Sequence, residues 1–259
     1  MISTRASLLP ARTPRPAFGK LLQSETKVAW RAPVGLILGV AVPVFMLIIF
    51  GVIPGMSKPA FPGGLTWFGV YFPILIGLVL AMLSLISLPV HLATYRQQGI
   101  LRRMSTTPVP PTWMLAAQVI INLAMAVVAL GILVVAGTAG FGLGAPKAAG
   151  GFALALVLSI AAMFAIGLWV SAIARTAGSA GIIGQLFLYP LLFFSGMWIQ
   201  QEHMTPVLRQ ISQCSPLGAA VHALQDSMQG TFPSAQSLLI LAGWAVVFGF
   251  LAVRYFRWE

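Results

Sequence analysis

The chain has 259 residues, of which 59% are hydrophobic and only 7% charged, with a formal net charge of +11. Soluble domains run nearer to about 45–50% apolar and about 25% charged, so no water-soluble fold could hide this much apolar surface. The basic residues lie between the apolar blocks, where they orient a chain across a membrane rather than bind nucleic acid, and the single Cys214 excludes an internal disulfide.

In chain order, residues 1–16 carry Arg5, Arg12 and Arg15 among Pro10, Pro14 and Pro16, without an apolar core of signal-peptide length. This pattern predicts a disordered basic tail. Residues 17–259 read as one transmembrane domain. Over 17–31, Phe18, Leu21, Leu22, Val28 and Ala29 alternate with Lys20, Gln23, Glu25 and Lys27, predicting an amphipathic helix on the inner membrane surface with Trp30 at headgroup level.

Six apolar spans follow, at about 34–54, 66–90, 112–137, 151–174, 177–199 and 235–253, and none contains Asp, Glu, Lys or Arg. The expected fold class is therefore all-α and polytopic. Of the 15 Lys and Arg, all but Lys58, Lys147 and Arg209 fall on the side of the N-terminal tail. The positive-inside rule then puts both termini in the cytoplasm of a multi-pass protein of the inner (plasma) membrane. Pro43, Pro73 and Pro190 interrupt spans, and small pairs such as Gly35 with Gly39 and Ala180 with Gly184 allow close helix contact. Between the last two spans, Leu217, Val221, Leu224 and Met228 recur at helical spacing beside His222, Gln225, Asp226 and Gln229. Short amphipathic helices on or dipping into the outer face are expected there.

Absent residue types narrow the chemistry. Glu25, Glu202, Asp226 and Glu259 all lie outside the spans, which disfavours an ion-coupled carrier. The only Gly-Lys pair, Gly19-Lys20, is followed by Leu21 and does not fit a phosphate-cradling loop. His91, His203 and His222 share no span and no zinc spacing, so neither a catalytic constellation nor a metal site is expected. Uncharged polar and aromatic groups remain as a substrate path: Ser84 in the second span, Gln118 and Asn122 on one face of the third, and Gln185, Tyr189, Phe193 and Phe194 in the fifth. Their alternative role is interhelical hydrogen bonding.

The loop after the second span is too polar to insert. Ile100, Leu101 and Met104 form a small apolar face flanked by Arg96, Arg102 and Arg103, and Pro108, Pro110 and Pro111 end the pattern. Such a helix suits a groove on another protein.

At this loop the chain resembles the membrane subunits of type 2 ABC exporters, the ABC-2 permeases that include daunorubicin-resistance-type drug exporters. The matching stretches are Tyr95-Arg96 through Gly99 to Leu101-Arg102-Arg103, Thr107-Pro108, Pro190 to Ile199 and Ser215-Pro216-Leu217. The resemblance implies a permease subunit with no ATPase activity of its own, paired with a second copy or a paralogue and with two ATPase subunits that carry ATP and Mg. It also implies that Tyr95 to Met104, with Gln97 and Gly99, form a coupling helix seated in the ATPase. Phe18 to Trp30 would be a connecting helix, and the outer segment a short re-entrant hairpin. Relatives commonly carry an acid just after the position of Arg96, where this chain has Gln97 and Gln98. The implied activity is ATP-driven efflux of a hydrophobic or amphipathic drug, lipid or glycolipid, as in multidrug resistance or antibiotic export. An ion-coupled carrier and a non-catalytic assembly subunit are the alternatives.

Overall fold

The computed structural model describes residues 15–31, 34–56, 58, 66–100 and 112–255, and its elements are helices. They are α1 (Arg15–Arg31), α2 (Val34–Val52), α3 (Trp67–Met82), a π-helical turn (Leu83–Ser87), α4 (Leu88–Gln97), α5 (Thr112–Phe141), α6 (Ala149–Ile173) and α7 (Ala177–Phe194). A 3₁₀ turn (Gln201–His203), α8 (Pro206–Cys214), α9 (Pro216–Gln229) and α10 (Ala235–Tyr255) complete the chain. The expectations for residues 1–14, for Leu101 to Met104 with the prolines beyond, and for the side chain of Trp30 lie outside the described residues.

Five rods are long and apolar enough to cross a membrane: Trp67–Gln97, α5, α6, α7 and α10, with Gly39–Val52 of α2 a shorter apolar helix. Each apolar block of the sequence thus lies on a helix, with different ends. The helix of the second block runs on to Gln97, because the π turn carries it through without a break, and the ends of the other blocks shift as well. The fifth stops at Phe194, where Ser195 caps the helix and Gly196, at φ +92°, turns the chain. Val253 is 82% exposed and Leu239 and Val246 each 71%, a surface that only lipid could solvate.

The Trp67–Gln97 rod is the centre of the bundle: 83% of its most apolar stretch is buried, against 17% for α10. Two glycines let its neighbours reach it. A Cβ on Gly167 of α6 would stand 2.0 Å from the Ser84 carbonyl oxygen, and one on Gly184 of α7 would stand 2.0 Å from that of Leu85. Both contacts fall on the π turn, where the Leu88 amide donates to the Leu83 carbonyl across the widened turn. Trp169, Phe187, Trp244 and Phe248 interlock α6, α7 and α10, with Trp169 edge-on to Phe248 at 5.1 Å.

Local signals set the helix starts. Thr66 Oγ1 accepts from the Gly69 amide at 3.1 Å, Thr176 and Ser179 form a capping box, and Ser215 Oγ accepts from Gly218 ahead of Pro216. The rods alternate in direction. Phe18 of α1 meets Trp113 at the start of α5, whereas Phe141 at the end of α5 meets Phe68 at the start of α3. One end of the bundle therefore carries α1, the end of α4 and the α6–α7 connection, and the far end carries α8 and α9. The predicted stripe Leu217, Val221, Leu224 and Met228 is buried, and of the two placements expected for this segment α9 takes the inward one, packing into the bundle against α3 and α6.

Candidate functional site

At the α1 end, Leu21, Leu22 and Glu25 lie three and four residues apart on one helix face, and that face packs against the bundle. The sequence pattern grouped Glu25 with the polar side of α1; the structure corrects this. Glu25 is 8% exposed, and its Oε2 accepts from the Tyr95 hydroxyl at 2.5 Å and from Gln118 Nε2 at 2.7 Å. The three residues come from α1, α4 and α5, so one carboxylate ties the surface helix to two rods. A carboxylate leaves water only where donors replace its hydration, and here two side chains do so. Asn122, one turn on, donates to the Gln118 carbonyl at 2.9 Å. Its Oδ1 and the buried Ser87 Oγ face no partner beside a void of about 10 Å³, about the room one water needs.

The last turn of α4 holds the α6–α7 connection. Arg96 Nη1 donates to the Ala174 carbonyl at 2.6 Å, satisfying a C-terminal acceptor of α6. Gln97 Oε1 accepts from the Ala177 amide at 3.2 Å, at the N-terminus of α7. Gly99 then takes φ +66°, which releases the chain from the helix, and Ile100 packs with Leu21, Tyr95 and Met114.

At the far end, a polar cavity of about 220 Å³ is lined by Val70, Ser195, Gln200, Gln213, Asp226 and Gln229, among others. Its walls are bonded into place: Gln225 Nε2 donates to the Val70 carbonyl at 3.0 Å, Arg209 Nε to the Gln201 carbonyl at 3.0 Å, and Ser212 to the Phe194 carbonyl. His222 Nδ1 is 3.3 Å from Asp226 Oδ2, and that carboxylate holds the imidazole above its ordinary pKa against the lowering effect of burial. On the other side of α8 lies an apolar groove of about 740 Å³, lined by Leu186, Pro190, Phe194, Ile211, Cys214 and Trp244 among others.

The polar path expected from sequence does not come together in one place. Ser84 is fully buried at the α6 contact, and Gln118 and Asn122 belong to the Glu25 cluster. Gln185 and Tyr189 lie on the exposed face of α7, Phe193 stacks edge-on with Phe194 at 5.4 Å, and Phe194 lines the groove. Within the expected coupling helix, Tyr95 points inward, because Glu25 and Gln118 take its hydroxyl, and Arg96 and Gln97 are bonded within the chain. Leu101, Arg102, Arg103 and Met104 lie outside the described residues. Among the described residues, no group of three or more His, Cys, Asp or Glu side chains could hold a metal ion. The polar cavity was legible only in part, through His222, Gln225, Asp226 and Gln229; nothing in the sequence showed that Gln200 and Gln213 fold back onto them.

No curated protein matches the chain significantly. A family model for the ABC-2 type transporter matches residues 16–228, from α1 to the last turn of α9. That range spans both ends of the bundle, including the Glu25 tie and every lining residue of the far-end cavity but Gln229. The chain therefore belongs to the ABC-2 type transporter family, as a multi-pass membrane permease subunit of an ABC transporter.

Proposed function

We propose that this permease moves a hydrophobic or amphipathic molecule outward, driven by separate ATPase subunits that bind at the α1 end. In this reading both termini are cytoplasmic, two permease copies or a copy and a paralogue form the pathway, and ATP and Mg act on the partner. The observation that carries it is the Glu25–Tyr95–Gln118 cluster, continued by the Arg96 and Gln97 contacts. The loop that begins at Gln98 is rooted in a turn bonded to α1, α5, α6 and α7, so a push on that loop is delivered to rods rather than lost in a flexible hinge. The far-end groove, apolar and open to the bundle flank, supports an amphipathic cargo over a hydrophilic one.

The test is co-expression with the cognate ATPase, followed by purification and ATP-driven transport in vesicles. Replacing Leu101 and Met104 together with Asp, which leaves the inward-packed Ile100 in place, is expected to abolish ATPase recruitment while the protein still inserts. Unchanged recruitment and transport in the double variant would remove the docking role, and sustained uphill transport by the permease alone would remove the whole reading.

A further inference from the structure

Two adjoining spaces at the far end have opposite chemistry and share a wall. Arg209 and Gln213, four residues apart on α8, line the polar cavity, whereas Ile211 and Cys214, on another face of the same helix, line the apolar groove. The consecutive residues Phe194 and Ser195 divide in the same way, Phe194 to the groove and Ser195 to the cavity. Successive Cα atoms are about 3.8 Å apart, so the two spaces meet within one residue's reach. From this juxtaposition we infer that the far end of the permease holds a binding site for a single-chain amphiphile with a neutral, hydroxyl-rich head group, the head in the polar cavity and the tail in the groove.

Size separates the roles. The cavity, at about 220 Å³, is smaller than the roughly 300–1,000 Å³ of a site for a whole drug-sized ligand and takes a head group alone; the groove, at about 740 Å³, accepts a chain. Head-group chemistry follows from the walls. Glutamines dominate the polar lining, and each carboxamide both donates and accepts, as a hydroxyl does. Gln200 Nε2 is buried without a partner, a donor that a ligand hydroxyl would satisfy. Arg209 also lines the cavity, but its Nε is held by the Gln201 carbonyl, whereas Asp226 beside His222 would set a carboxylate against a phosphate and accept from a sugar hydroxyl. The tail side needs no polar complement: Trp244 Nε1 already donates to the Cys214 carbonyl at 2.9 Å, leaving the apolar ring for the chain. The inference rests on the export reading only for calling this end the outer one.

Cys214 is the chain's single cysteine, is exposed and lines the groove, so its alkylation rate reports occupancy. The full chain in lipid nanodiscs is treated with N-ethylmaleimide in the presence of octyl glucoside, octyl phosphocholine, or glucose alone, each below its micellar concentration. Octyl glucoside is expected to slow alkylation about tenfold, and the other two less than twofold. Gln213→Leu and, separately, Gln229→Leu are expected to raise the octyl glucoside concentration needed for half-protection about tenfold, each read against its own unprotected rate, with a monodisperse size-exclusion profile as the check that each variant is folded. Gln229 is exposed at the end of α9, so its variant keeps the test valid if Gln213→Leu misfolds. Equal protection by both octyl compounds, or none by octyl glucoside, overturns the inference. ATP-driven transport that persists with the partner in that case leaves the export reading standing; failure of the wild-type permease to recruit an ATPase would fell the export reading alone.

Discussion

Tyr95→Phe isolates the tie between α1 and the rods, because it deletes one oxygen and keeps the ring packed among Leu21, Ile100 and Met114. In the native cluster Glu25 Oε2 accepts two hydrogen bonds, at 2.5 Å from Tyr95 and 2.7 Å from Gln118; the variant leaves only the second. A hydrogen bond to a charged group contributes about 1.5–3 kcal/mol, and the 8% exposure of Glu25 leaves water little room to replace it. Docking of α1 should weaken by that amount, which is roughly a 10- to 150-fold shift in its docked-to-undocked equilibrium. Hydrogen exchange of the amides from Phe18 to Lys27, measured on the permease in nanodiscs, reads this directly as a matching rise in rate, while amides within α6 stay protected. Gln118→Leu should act in the same direction, and the double variant should fall short of the sum, since both donors share one acceptor. Exchange in α1 that changes by less than about twofold in both single variants would show that apolar packing alone holds the helix.

Three further outcomes follow from particular contacts. Gly184→Ala should lower thermal stability by about 1–3 kcal/mol or prevent folding, because its Cβ meets the Leu85 carbonyl at 2.0 Å, whereas Gly181→Ala, 4.0 Å from its nearest neighbour, should be silent by fluorescence-detected size exclusion after heating. The raised pKa of His222 makes the Asp226 contact a pH-dependent contribution: it is present in full below the ordinary value of about 6.5 and is lost as pH rises through the elevated folded value. The gap in melting temperature between wild type and His222→Gln should therefore shrink from acid to alkaline pH, and a gap that widens would refute the assignment. Gln97→Glu should preserve or raise stability by about 0.3–1 kcal/mol, since its oxygen would still accept from Ala177 at the positive end of α7; a loss in the melting temperature of the purified chain counts against that geometry.

The Gln97 contact also changes the meaning of a sequence comparison. The resemblance set Gln97 and Gln98 where an acid was expected just after Arg96. In this structure Gln97 faces the start of α7, where an amide oxygen and a carboxylate do the same work. The all-helical class, the lipid-facing character and the α9 stripe were all readable, because apolar length and 3.6-residue periodicity survive in one dimension. The inward turn of Glu25 was not. Its spacing of three and four residues from Leu22 and Leu21 was visible, but a carboxylate on an apolar face makes sense only once Tyr95 and Gln118, from other helices, supply the donors. The far-end cavity escaped notice for the same reason: its glutamines are scattered from Gln200 to Gln229 and converge only because α8 and α9 fold back beside Val70.

The π turn shows how such distant convergence is kept in register. It holds one residue more than an α-helical path would, and an α-helix turns about 100° per residue. Were Leu83–Ser87 wound as ordinary α-helix, every side chain beyond would be rotated by about that angle relative to α3. Tyr95 would leave Glu25, and Arg96 would leave the Ala174 carbonyl. The turn is itself fixed from outside, by Gly167 and Gly184, whose lack of a side chain admits the Ser84 and Leu85 carbonyls. Through Gly184 the same turn touches α7, an 18-residue helix about 27 Å long that begins at the Gln97 contact and ends at Phe194 in the groove wall. The contact set at the α1 end and the walls of the far-end groove are thus joined by one helix, clamped midway against the only helix in the bundle whose register depends on a widened turn among the described residues.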